Sequence, residues 1–262
     1  MGSASRTAIA KGIAALTAAK GVTLQAGEEI LAAARALESS AQLRALLADP
    51  TLDAKERESL VARVFGSFSP VATGLLGSLA AERWSNANQL VDGVEEVGIR
   101  AIAQAETQAD VVAELFAVER AVRSDAELEL ALGSKLASAD SKAAVVSRLL
   151  SKQGSAATTA IVRHLVQSPR GRRIGALLRR AAEIVADVAG AVIATVTVAA
   201  PLQAKQREAL AADIAARFGR EPRIQYLIDP AVIGGVRVRV GDTVIDGTIA
   251  SRLADLRLQL AG

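Results

Sequence analysis

The chain has 262 residues, of which 51% are hydrophobic and only 2% aromatic, with no cysteine, one histidine and a formal net charge of +3. That length holds two domains with a core each, and the absence of cysteine excludes disulfides, thiolate nucleophiles and Cys-ligated zinc. No apolar run approaches the ~18 residues of a membrane span, and the start Met1-Gly2-Ser3-Ala4-Ser5-Arg6 leads into a helical pattern without the layout of a signal peptide, so a cytoplasmic chain is expected.

The small net charge hides an asymmetric layout. Residues 101–140 hold 3 Lys/Arg against 8 Asp/Glu, whereas residues 141–190 hold 9 against 2. Such a division orients encounters with charged partners and says nothing about fold.

Apolar spacing predicts helices over residues 4–20 (Ile9, Ile13, Leu16), 25–38 (Ile30, Leu31, Leu37), a short one around Leu43, Leu46 and Leu47, one from Asp53 to Phe65, and one from about Ser69 to Ala81. The punctuation agrees: Gly21 ends the first, Ser39-Ser40 breaks and caps, Asp49-Pro50 stops the third, and Asp53 with Glu56 forms a capping-box pattern. From Asn86 to Ser124 there is no proline and only Gly93 and Gly98 interrupt. The segment is either one long helix or a pair broken at a glycine, each glycine costing about 1 kcal/mol relative to alanine.

The pattern then restarts. Shifted by 85 residues, 29–65 lies on 114–150 without a gap, with 11 identities in 37 positions, among them Glu29/Glu114, Ser39/Ser124, Leu43/Leu128, Leu47/Leu132 and Val61/Val146. With one-residue slips, Leu79 meets Leu165 and Leu90 meets Leu177. An Ala-rich composition raises chance identity, but the shared Ser-x-Ala-x-Leu-x-x-x-Leu and the lack of gaps identify an internal duplication. The helix over 170–190 closes the second copy, and Gly190 ends it.

Near Gly190 the sequence period switches from 3.6 to 2, which sets the expected domain boundary: a helical region over 1–190 and a small domain over 191–262. Val192–Val198 is a β-branched strand, Pro201 opens a helix that Gly219 caps, and Arg223–Ile228 is a second strand. Val236, Val238 and Val240 alternate with Arg237 and Arg239, Gly241-Asp242 is hairpin chemistry, and Thr248 N-caps a closing helix with a stripe of Ile249, Leu253, Leu256 and Leu260. The fold class read from this order is α+β, a duplicated, mostly helical N-terminal bundle followed by β-α-β-β-β-α.

The string Ile228-Asp229-Pro230, Val232-Ile233-Gly234-Gly235, Val238-Arg239-Val240-Gly241-Asp242 and Val244-Ile245-Asp246-Gly247-Thr248 resembles the C-terminal signature of the delta subunit family of bacterial F-type ATP synthase, relatives of the mitochondrial oligomycin-sensitivity-conferring protein. The signature spans about the last 35 residues and is specific because its turn elements must recur in fixed order. The family's usual N-terminal domain is one six-helix bundle of about a hundred residues, so this chain departs by some 85 extra residues and resembles the enlarged actinobacterial members. The resemblance implies a stator subunit without catalysis or cofactor, peripheral on the cytoplasmic face of the plasma membrane and part of a hetero-oligomer. Its helical domain would receive the N-terminal helices of alpha subunits, and its C-terminal domain the C-terminal region of subunit b. The partner-binding residues expected on that basis are Arg237, Arg239, Arg252, Leu256 and Leu260, although alternating arginines are most often a solvated face and a leucine stripe is most often core.

Reactive groups are scarce. His164 lies mid-helix in Ile161-Val162-Arg163-His164-Leu165 and reads as structural before catalytic. Asp229 and Asp246 sit in turn dipeptides, where aspartate is expected for backbone reasons rather than as an acid–base pair. There is no P-loop string and no metal-ligand spacing. The basic stretch 163–180, with Arg170, Arg172, Arg173, Arg179 and Arg180, is the one segment that could bind nucleic acid, but it lacks interleaved aromatics. Its rival readings are a solvated helix start and an acidic protein surface, including the chain's own 101–140.

Overall fold

The computed structural model describes residues 1–134, 137–232 and 234–249, and the chain divides into two compact units, Met1–Val185 and Ala186–Gly262. Helices lead into a small mixed sheet, an α+β fold. The division falls in the last turn of the final helix of the first unit, a few residues before the first strand.

The first unit contains α1 (Ser3–Ala18), α2 (Leu24–Ser39), α3 (Ala41–Ala48), α4 (Ala54–Val64), α5 (Pro70–Ala81), α6 (Ala87–Ala105), α7 (Val111–Ser124), α8 (Ala126–Gly133), α9 (Ala139–Leu150), α10 (Ala156–Gln167) and most of α11 (Ile174–Val188). Their starts are set locally. Side-chain oxygens of Thr23, Ser40, Asp53, Ser69 and Asn86 accept a first-turn N–H of α2 to α6, and Asp110, Asp125, Ser138 and Ser155 do the same for α7 to α10. Each such cap contributes about 1 kcal/mol.

The two runs repeat in detail. In the first, the backbone N–H and hydroxyl of Ser69 donate to Glu29 at 2.8 and 2.6 Å; in the second, the same groups of Ser155 donate to Glu114 at 2.9 and 2.7 Å. A carboxylate from the second helix of each copy therefore steadies the start of the fifth, where the positive helix end favours it. Leu79 and Leu165, and Leu90 and Leu177, are all buried.

The helix α6 links the copies. Moved by the 85-residue period, α1 falls on 88–103, inside α6. One helix thus completes the first bundle and stands where the second copy would begin. All residues from Gly93 to Ile102 are buried, as expected of a helix enclosed on every side. Leu90, Val94, Val97 and Ala101 join the first core with Ile9, Leu16, Ile30, Leu37, Leu79 and Trp84. Neither Gly93 nor Gly98 breaks α6, and the 86–124 segment is divided instead at Glu106–Asp110, where Asp110 starts α7. The glycines are spacers: a Cβ on Gly98 would lie 2.6 Å from Leu31 Cδ2, and one on Gly93 would lie 2.7 Å from Trp84 Cζ3.

The second unit holds β1 (Ala191–Val198), α12 (Ala204–Phe218), β2 (Glu221–Ile228), β3 (Val236–Val240) and β4 (Thr243–Asp246) in sheet order β2-β1-β3-β4. β1 and β2 are parallel, joined across α12, and β3 runs antiparallel to both β1 and β4, with Val196 opposite Val238 and Val238 opposite Ile245. Ala194, Val196, Val198, Val238 and Val240 form a core with Ile214 of α12. The helix α12 starts at Ala204, not at Pro201, because Gln206 Oε1 accepts the Gln203 N–H at 2.9 Å and fixes the first turn there. Gly241 adopts φ of 56° at the β3–β4 hairpin, a conformation with little cost only for glycine. The closing helix expected over Ile249–Leu260 lies outside the described residues beyond Ile249.

Candidate interaction surfaces

A group of buried charged residues in the first unit, Glu95, Glu96, Arg100 and Glu119, lies where the two copies meet. Glu95, on the enclosed helix α6, accepts from Arg172 Nη2 at 3.1 Å and pairs with Arg170 Nη2 at 2.8 Å, and Arg170 Nη1 donates to Asp92 at 2.7 Å. Its neighbour Glu96 takes Arg180 and Arg100, each at 3.0 Å. Glu119 of α7, only 1% exposed, takes Arg179 at 2.9 Å. Arg170 itself sits at φ of 49° in the turn Pro169–Gly171. That backbone is strained by about 1 kcal/mol or more in a non-glycine residue, and the two ion pairs hold it there.

His164 stands at the centre of this seam and is 1% exposed. Arg35 Nη1 lies 3.0 Å from Nδ1, and Glu95 Oε2 lies 3.1 Å from Nε2. A guanidinium only donates, so Nδ1 is the acceptor and Nε2 carries the proton that goes to Glu95. The ring is therefore neutral. Burial lowers its pKa, against the pull of Glu95, and the charges of Arg35 and Arg170 lower it further. For Glu95, burial works to raise the pKa, but the His164 hydrogen bond and the charges of Arg170 and Arg172 outweigh it and bring the carboxyl to about 2. With both nitrogens engaged and the ring shielded from solvent, His164 is a structural histidine.

The basic stretch is thus largely consumed by the chain itself. Its acidic partners are Asp92, Glu95 and Glu96 of α6, Glu119 of α7 and Glu183 of α11, so among the described residues the 101–140 segment supplies only Glu119. The seam was hidden from sequence reasoning. Its signal is four charged residues, Asp92, Glu95, Glu96 and Arg100, set within the otherwise apolar run 90–102.

In the second unit the turn aspartates serve the backbone. Asp229 Oδ1 accepts the Ala231 N–H at 2.9 Å, and Asp246 Oδ1 accepts the Thr248 hydroxyl at 2.7 Å and its N–H at 3.0 Å. The Thr248 hydrogen bonds and Arg237 together lower the Asp246 pKa. Arg237 and Arg239 project from the exposed side of β3, Arg237 bonded to Asp246 across the hairpin at 3.0 Å. Arg252, Leu253, Leu256 and Leu260 lie outside the described residues. Among the described residues no group of three or more His, Cys, Asp or Glu is placed to hold a metal, and no helix is long and apolar enough to cross a membrane.

Helical runs joined through α6, ahead of a four-stranded α+β unit whose turns carry Asp229, Gly234-Gly235 and Asp246, have the layout that the resemblance implies for an ATP synthase delta-type subunit. The family model for the ATP synthase delta (OSCP) subunit matches residues 9–97 and 99–260, and the chain belongs to that family. It is 49% identical over 264 residues to the ATP synthase subunit delta of Leifsonia xyli subsp. xyli, covering 100% of both chains. It is 36% identical over 271 residues to that of Streptomyces griseus subsp. griseus, again covering 100% of both, and 36% identical over 243 residues to that of Streptomyces avermitilis, covering 91% of this chain and 89% of the relative. The chain therefore matches actinobacterial delta subunits along its full length.

Proposed function

We propose that the chain is a non-catalytic stator subunit of the proton-translocating ATP synthase, tying the catalytic head to the peripheral stalk so that the head does not turn with the rotor. In this reading the helical unit receives N-terminal helices of the alpha subunits, and the second unit holds the C-terminal region of subunit b. The chain is peripheral on the cytoplasmic face of the plasma membrane, held there through the ATP synthase complex. The observation that carries the proposal is full-length similarity to delta subunits, extending through both helical copies and the second unit. The helical faces rich in alanine suit the seating of another amphipathic helix. Two grips on two partners act at high effective concentration, so neither must be tight alone. The exposed arginines of β3 are the described candidates for the subunit b contact, and the extra copy supplies either a second helix-accepting surface or a spacer.

Calorimetric titration of the full chain with peptides from the matching alpha N-terminus and subunit b C-terminus tests this. Saturable binding of both is expected, with Arg239→Glu weakening only the subunit b peptide, by about tenfold. The absence of heat with either peptide, together with failure to bind an isolated catalytic head, refutes the stator reading. The nucleic-acid alternative over 163–180 has lost its main support, because Arg170, Arg172, Arg179 and Arg180 are already paired with carboxylates.

A further inference from the structure

One neutral ring ties α10 to two other helices. Nδ1 of His164 accepts from Arg35 of α2 at 3.0 Å, and Nε2 donates to Glu95 of α6 at 3.1 Å. The Arg35 tie runs from the first copy to the second and is peculiar to their junction. Arg35 repeats as Arg120, which is exposed, whereas the counterpart of His164 in the first copy is Ser78, also exposed. The histidine therefore serves the meeting of the copies and not the bundle that each copy repeats.

The two ties respond to a proton in opposite directions. A neutral imidazole has one acceptor nitrogen, and Arg35 uses it. A proton added at Nδ1 removes that acceptor and sets an N–H of one cation against the N–H of another. At Nε2 the same proton turns the hydrogen bond to Glu95 into a charge-assisted one, which is stronger. Burial, with Arg35 and Arg170, keeps the ring neutral at neutral pH, against the pull of Glu95. Arg172 is bonded to Glu95 on the same side. Of the other helices packed on α10, α9 carries Asp140 and the buried Lys142, and α7 carries Glu114, bonded to Ser155, and Glu119, bonded to Arg179. Arg35 has a way out: it is half-buried, Arg163 repels it, and Glu28 and Asp140 attract it.

We propose that His164 is an acid-sensitive latch between the two helical copies: when the ring takes up a second proton, Arg35 leaves it and α2 loosens from α10, while Glu95 keeps its hold. The latch belongs to the helical unit alone and does not depend on which subunits the chain binds. Its test uses the full chain labelled with nitrogen-15 at histidine. His164 is the only histidine, so its ring gives one set of nitrogen signals. Above pH 6.5 these should show the tautomer with the proton on Nε2, and on acidification the doubly protonated ring, while Trp84 fluorescence reports a first core still folded. At the pH where the protonated ring dominates, hydrogen exchange over 31–39 of α2, corrected for its intrinsic pH dependence, should be faster than at neutral pH by about tenfold or more, with 93–102 of α6 unchanged. Arg35→Met should exchange fast over 31–39 at both pH values and titrate its histidine at higher pH. His164→Gln, whose amide accepts from Arg35 and donates to Glu95, should exchange slowly at both. A ring that stays neutral until Trp84 reports unfolding, a protonated ring with exchange in α2 unchanged, or faster exchange in α6 ahead of α2 overturns the latch.

Discussion

Replacing Glu95 by glutamine is the sharpest test of the seam. The carboxyl is 7% exposed and bonded to His164, Arg170 and Arg172, and these partners bring its pKa from 4.5 to about 2. At about 1.4 kcal/mol per pKa unit, the ionised form contributes about 3 kcal/mol to folding at neutral pH. Because the folded pKa lies below the unfolded one, that contribution is complete above pH 4.5 and is lost as the pH falls from 4.5 towards 2. Glu95→Gln removes it at every pH and leaves Arg172 without its carboxylate and Arg170 with Asp92 alone, a loss of about 3–5 kcal/mol for a broken buried pair. Urea denaturation followed by the fluorescence of Trp84, the only tryptophan and a member of the first core, reads this out. With a slope of ~2 kcal/mol/M, the midpoint at pH 7 should fall by about 1.5–2.5 M. The variant should also lack the part of the acid destabilisation between pH 4.5 and 2 that belongs to Glu95. A midpoint shift under about 0.5 M, or an unaltered acid limb, would show that the seam does not hold the copies together.

Other consequences can be measured the same way. His164 has a lowered pKa in the folded chain, so its stabilising neutral form is fully present above pH 6.5 and stability should decline as the pH falls below that value. His164→Gln should flatten this slope in denaturation midpoints between pH 7 and 5. Gly98→Ala puts a methyl into Leu31 and should cost about 1–3 kcal/mol through overpacking in chemical denaturation, despite the better helix propensity of alanine. Ser69→Ala and Ser155→Ala each remove a helix cap and a hydrogen bond to a carboxylate from corresponding places. Each should cost about 1–2 kcal/mol, and double-mutant cycles with Glu29→Gln and Glu114→Gln should give couplings equal within about 0.5 kcal/mol.

What the sequence reveals depends on how local the cause is. The Asp53/Glu56 capping box, Gly219 with φ of 65° and the Gly241-Asp242 hairpin are decided by residues a few positions apart, and they stand where the pattern places them. The 85-residue period is legible too, because it leaves matched residues in order. The continuity of α6 was not legible. The cost of a helical glycine is local, but what offsets it is Trp84 and Leu31 packing where a side chain would stand, and those contacts come from elsewhere in the chain. The same holds for the arginines of 163–180. Composition shows a basic run, while the carboxylates that neutralise it lie as many as 84 positions away. Among the partner-binding residues inferred from resemblance, Arg237 and Arg239 fall on an exposed strand face as their alternation requires.

The shared α6 has a mechanical consequence. Two bundles strung on a loop can swing, and a part meant to resist torque would then absorb it as a bend. Here the wall of one bundle is also the wall of the next, and it is pinned by Glu95 and Glu96 to arginines of the following copy. Twisting one copy against the other would require α6 to leave a core or those ion pairs to open. The helical unit therefore gains a second run of helices without gaining a hinge between the two.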